Sequence, residues 1–214
     1  MRFDHVSYVA SHDQISDVVN RIGSQIGTAF IDGGIHPKFG TRNFTAPLLN
    51  GQYIEIVCPM DHPATEATPF GKAVKKKAEE GGGWMAWVFS VEDISVIEKA
   101  FGREATESYR RKPDSSILKW KQIGVMEITE SSELPFFIEW HVPNHPSKDG
   151  RAISEIKNLI IASQDELSNS LFKDQIHRSL NGVTIEWEDI KNNENSSGII
   201  AVIINTPNGI IRID

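Results

Sequence analysis

The 214-residue chain carries 22 Lys and Arg against 29 Asp and Glu, a net charge of -7, with 39% apolar and 24% charged residues. That balance belongs to a globular protein long enough to bury a core. It argues against a nucleic-acid partner, because neutralising phosphates takes clustered Lys and Arg. The basic run Lys75-Lys76-Lys77 is followed at once by Glu79-Glu80 and reads as a solvated helix face. No apolar stretch approaches the roughly 18 residues of a membrane span, and the first residues, MRFDHVSYVA, do not form a signal peptide. The expectation is a cytoplasmic protein without a membrane partner. The single cysteine, Cys58, cannot make an internal disulfide and, inside an apolar strand run, reads as a buried thiol.

Taken in chain order, Phe3 to Ala10 is rich in Val and aromatics and predicts a strand. Ser11-His12-Asp13 then opens a helix whose apolar positions Ile15, Val18, Val19 and Ile22 recur at helical spacing. A glycine-containing stretch runs from Asp32 to Gly40. Thr41 to Leu49 and Gln52 to Cys58 follow as strands joined by Asn50-Gly51, a turn pair that tolerates positive φ. The same order then repeats. Trp84 to Val91 is a strand, and Asp93 caps a helix carrying Ile94, Ile97 and Phe101. Ser108 to Arg111 and Ile117 to Val125 flank a turn, and Phe136 to Val142 closes the unit. The last strands also match in letters: Tyr53-Ile54-Glu55 with its Pro59 aligns with Phe137-Ile138-Glu139 and its Pro143.

The expected architecture is therefore α+β, with two tandem βαβββ modules over about residues 1–60 and 83–143 in a domain spanning 1–146. Residues 151–214 predict a smaller α+β half-module, with a strand at Ile156 to Ala162, a helix at Asp165 to His177 and three further strands.

Alternation along strands gathers the polar candidates. His5, Ser7 and Val9 share one face; Tyr53, Glu55 and Val57 share another; Phe137, Glu139 and His141 share a third. A carboxylate in an apolar strand is costly to bury unpaired. Glu55 and Glu139 therefore either face a cleft with a metal or cationic partner, or point to solvent. Gly33 to Asn43 reads as a glycine-rich loop in which His36, Thr41 and Asn43 either grip a ligand or bond the backbone. Trp84, Trp87, Trp120 and Trp140 divide between core and pocket wall.

DHVSYVA, YIEIV and the module repeat resemble the vicinal-oxygen-chelate superfamily. Gly33-Gly34-Ile35-His36-Pro37 through Gly40-Thr41-Arg42-Asn43, together with Leu134-Pro135-Phe136, His145-Pro146 and Thr206-Pro207-Asn208-Gly209, resemble its glyoxalase-like family. The resemblance implies paired modules forming a curved half-barrel cleft. It also implies a divalent metal (Zn, Ni, Fe or Mn) or a site that works without one, and a homodimer built on open sheet edges. Carried over, the metal ligands are His5, Glu55 and Glu139. The fourth position falls on Ala86, which has no donor atom, and His141 stands in for it. Glu139 and Glu55 would move the proton, and His36, Thr41, Asn43 and Trp120 would hold the substrate. Two functions follow: a metal-assisted lyase or isomerase acting on a small oxygenated molecule, or a metal-free small-molecule sequestering protein of the bleomycin-resistance type.

Overall fold

The computed structural model describes residues 1–126, 131–141, 144–165 and 172–214. The first expected module is present as β1 (Arg2–Val9), α1 (Ile15–Ile26), β2 (Ile31–His36), β3 (Thr41–Pro47) and β4 (Tyr53–Pro59). Two helices, α2 (Pro63–Ala67) and α3 (Pro69–Glu79), separate it from the second module. That module is β5 (Gly83–Ser90), α4 (Ser95–Phe101), β6 (Thr106–Arg111), β7 (Ile117–Ile123) and β8 (Phe136–Trp140). In each module the first strand pairs in parallel with the last, and β1 and β5 then pair antiparallel, joining the two halves.

Local chemistry explains the element boundaries. Asn50 and Gly51 both adopt positive φ (62° and 71°), as the hairpin between β3 and β4 demands. The α1 helix ends on Gly27 in the left-handed conformation, with its N–H returned to the Gly23 carbonyl. Pro63 and Pro69 each open a helix, where a missing N–H costs nothing. The expected basic helix face lies on α3, whose other side buries Phe70 and Val74.

The expected half-barrel is closed into a full barrel of eight strands in the order β1-β4-β3-β2-β6-β7-β8-β5. One residue pair, Ile35 with Arg111, joins β2 to β6 at the closing seam. Gly34 makes that approach possible. Its φ is +93°, and a Cβ there would lie 1.8 Å from the Arg111 carbonyl oxygen. Gly33-Gly34 therefore belongs to a strand and a seam, which corrects the expected loop; the turn itself is confined to Pro37–Gly40.

The C-terminal part contains β9 (Glu155–Ala162), α5 (Lys173–Arg178), β10 (Thr184–Glu188), β11 (Gly198–Thr206) and β12 (Gly209–Ile213). Its element order repeats that of a module, but its strand order is β10-β9-β11-β12, so its first strand pairs in parallel with its second. Much of the helix expected at Asp165 to His177 lies outside the described residues, as do Val142 and Pro143 of the letter repeat. The sheet lies against the outer wall of the barrel: Ile156, Leu159, Val202 and Ile204 share one apolar cluster with Phe3, Ile22, Trp84 and Phe89. At roughly 1.5–3 kcal/mol for each large apolar side chain fully buried, this shared core outweighs the few polar links across it, such as Trp84 Nε1 donating to the Ile213 carbonyl at 2.9 Å. Among the described residues, no helix is long and apolar enough to cross a membrane.

Candidate active site inside the barrel

The barrel interior has an apolar and a polar region. Val9, Phe39, Val57, Phe70, Ala86 and Val88 pack in the first, and α3 closes it with Phe70. Gly71 lets that helix press close, since a Cβ there would lie 2.5 Å from the carbonyl oxygens of Phe39 and Thr65. The second region is a cavity lined by His5, His36, Asn43, Tyr53, Glu55 and Arg110, walled by Trp120, Gln122, Phe136, Ile138 and Trp140. The space open to the centre of a water molecule is about 30 Å³, room for one or two waters. A larger ligand enters only as some of them turn aside.

His5 is oriented by a neighbour on its own strand. The β1–β5 register shifts between Phe3 and His5, and this irregularity lets the Asp4 carboxylate reach the adjacent ring. His5 Nδ1 donates to Asp4 Oδ1 at 2.8 Å, and the ring stacks on Tyr53 at 4.3 Å. Asp4 is fully buried, and its other oxygen accepts from His145 Nε2 and Arg2 Nη2, each at 3.0 Å. Burial would raise its pKa. Hydrogen bonds from His145 and His5, and their charges, outweigh burial and hold the carboxyl well below the usual carboxylate range. Among the described residues, His5 Nε2 is the ring nitrogen without a hydrogen-bond partner.

Glu55 is also held as a carboxylate. Ser7 Oγ donates to its Oε2 at 2.8 Å and Asn43 Nδ2 to its Oε1 at 2.6 Å. Burial pushes its pKa up, but His5, His36 and these two hydrogen bonds bring it below the ordinary value. His36 is 4% exposed, and burial drops its pKa to about 4, so at pH 7 it is a neutral hydrogen-bonding group. Its Nδ1 lies 2.9 Å from Thr41 Oγ1. Thr41 is itself buried beside the cavity and supports His36 without lining the wall. Trp120 lines the cavity and donates from Nε1 to Gln122 at 2.7 Å. Cys58 is fully buried, and burial pushes its thiol up to about 11.

The structure thus brings His5, His36, Asn43, Glu55 and Trp120 together. It does not bring Glu139 or His141 to them. The inward residues of β8 are Phe136, Ile138 and Trp140, so Glu139 points outward. Its Oε2 accepts from Ile94 N, at the start of α4, at 2.7 Å, and its Oε1 from His141 Nε2 at 2.6 Å. The letter match Tyr53-Ile54-Glu55 with Phe137-Ile138-Glu139 pairs an inward strand face with an outward one. Ala86 does face the interior, with no donor to offer.

Ser7 and His145 have no role assigned from sequence, and Asp4 and Arg110 are not singled out there. Arg110 had a legible signal: it alternates with Ser108 along β6, and both are inward and buried. Asp4 had none, because plain alternation assigns it to the opposite face from His5.

Residues 3–174 match the family described as "Glyoxalase-like domain". The chain belongs to the glyoxalase-like family. Among curated proteins none matches the sequence. Similar solved structures include a hypothetical protein from Staphylococcus aureus, at 16% identity and a TM-score of 0.56, covering all of this chain and 85% of the other. Methylmalonyl-CoA epimerase from Mycobacterium tuberculosis is similar at 14% identity and a TM-score of 0.43, over 65% of this chain and 86% of that one. Streptomyces coelicolor methylmalonyl-CoA epimerase in complex with 2-nitronate-propionyl-CoA is similar at 15% identity and a TM-score of 0.45, over 66% and 99%. At these identities the likeness concerns the fold alone.

The resemblance seen in the sequence implies a divalent metal. The cavity residues here do not fit one. Arg110 places a fixed cation in the same cavity, and Ala86, at the expected fourth position, offers no donor atom. Among the described residues, no three His, Cys, Asp or Glu side chains are grouped to hold an ion.

Proposed function

We propose that this glyoxalase-like protein transfers a proton beside the carbonyl of a small oxygenated molecule, inside the barrel and through its own side chains. The observation that carries this reading is the Asp4–His5 pair: a buried carboxylate fixes Nδ1 and leaves Nε2 as the free nitrogen of a cavity-lining ring. In the reaction, a C–H bond next to the carbonyl breaks and its proton passes to His5 Nε2. The electron pair moves onto the carbonyl oxygen, giving an enolate. Return of the proton to the same carbon completes an exchange or an epimerisation. Where that carbon bears a hydroxyl whose proton passes to the enolate oxygen, return to the former carbonyl carbon completes an isomerisation, and loss of a leaving group from the enolate completes an elimination.

The pKa shifts divide the roles. A carboxyl held below its ordinary pKa is a weak base, so Glu55 serves by its charge, stabilising the imidazolium that His5 becomes. Neutral His36 can donate an N–H toward the enolate oxygen without competing for the proton.

The test is deuterium uptake. Small carbonyl compounds, including pyruvate and its methyl ester, are incubated with the protein in D₂O containing a chelator and followed by proton NMR. Wild type should exchange the protons beside the carbonyl of at least one compound, and His5→Asn should not. Exchange that depends on added metal, or that survives His5→Asn, contradicts the proposal. Binding without exchange supports the sequestering function instead.

A further inference from the structure

We infer that Arg110 is a receptor for a carboxylate, so the molecule bound in the barrel is a small carboxylic acid; the assignment rests on the reading of this cavity as the ligand site. Arg110 is 2% exposed, among the largest fully buried side chains of the protein, and lines the cavity. A guanidinium is a permanent cation, and one buried without an anion is costly. Its Nε and Nη2 are nevertheless buried with no hydrogen-bond partner among the described residues. Glu55, the carboxylate lining the same cavity, is engaged by Ser7 and Asn43 and forms no ion pair with it.

The identity of the two free atoms specifies the ligand. Nε–H and the outer Nη2–H lie side by side along one edge of the guanidinium, the fork that accepts the two oxygens of a carboxylate in parallel. A Cβ at Gly33 would sit 2.6 Å from Arg110 Nη1 and 2.2 Å from Asn43 Oδ1, so glycine there leaves the space these groups occupy. Trp140, on the cavity wall, carries a further buried N–H without a partner. Against these three donor atoms stands one partnerless buried acceptor on the cavity among the described residues, Asn43 Oδ1. Donors are in surplus, which an acceptor-rich anion satisfies and a cationic molecule does not. With His5 and Glu55 across the same space, the ligand class is a small acid bearing a carbonyl near its carboxylate.

Titration calorimetry on the full chain tests this with pyruvate and methyl pyruvate, which share a ketone and differ in the anionic end. Pyruvate should bind at least tenfold more tightly than its ester. Arg110→Met should raise the pyruvate Kd at least tenfold while the melting temperature holds or rises, since an unpaired buried cation has been removed. Arg110→Lys, with the charge but not the fork, should fall between. Absence of pyruvate binding, equal affinity for acid and ester, or a melting temperature that collapses in both variants would each overturn the inference. The two readings fail separately. Arg110-dependent pyruvate binding without deuterium uptake removes the proton-transfer proposal alone. Equal deuterium uptake by acid and ester, unchanged in Arg110→Met, removes the carboxylate receptor alone.

Discussion

Asn43 and Glu55 face each other diagonally across β3 and β4, with the Asn43 amide donating to Glu55 Oε1 at 2.6 Å. The pair is buried, at 1% and 7% exposure, so no water replaces the bond if it is lost. Asn43→Ala should therefore cost about 1–3 kcal/mol and also weaken ligand binding, because the Glu55 carboxylate loses a group that fixes its position. Chemical denaturation measures the first effect and calorimetry the second. Unchanged stability would mean that the amide is not holding Glu55.

His36 gives the protein a pH dependence of known sign. Its pKa falls from an ordinary 6.5 to about 4 in the folded state, because burial disfavours the charged ring. Below pH 6.5 the unfolded chain takes up a proton that the folded one refuses. This contribution to stability is complete above pH 6.5, declines as pH falls, and is gone below about 4. The full span is about 3 kcal/mol. Unfolding free energies measured across that window should slope less steeply in His36→Asn than in wild type. Identical slopes would place the neutral, buried ring in doubt. His36→Ala should lower the melting temperature, since the ring packs against Phe39, Phe70 and Trp120.

Gly34→Ala tests the seam. The added methyl would meet the Arg111 carbonyl, and the positive φ disfavours any side chain. The cost should be at least about 2 kcal/mol, read as a lower melting temperature. A stability equal to wild type would show that β2 and β6 do not need their close contact.

The module repeat was legible because each element carries its own signal: apolar alternation for the strands, helical spacing after Ser11 and Asp93, and Asn50-Gly51 at a hairpin. The barrel's closure was not, since it depends on a contact between residues 34 and 111 that neither segment announces. Facing was harder still. Strand side chains alternate with period two, so an alignment displaced by one residue turns every side chain to the other face. That displacement moved Glu139 into the expected metal site, whereas it bonds the start of α4. The irregularity at Asp4 did the reverse, bringing to His5 a carboxylate that alternation sends away.

Glu139 accordingly has a structural task. Glu139→Ala should cost about 0.5–2 kcal/mol, the range for losing a side chain that satisfies a helix-start N–H, without altering ligand affinity. A large loss of affinity at full stability would return Glu139 to the site.

The most direct measurement compares the inside of the barrel with the outside. Deuterium uptake into the methyl group of pyruvate is followed by proton NMR for wild type, His5→Asn and Glu139→Gln at equal protein concentration. Wild type should show uptake, His5→Asn at least a hundredfold loss, and Glu139→Gln a rate within twofold of wild type. Loss in Glu139→Gln with His5→Asn active would contradict it.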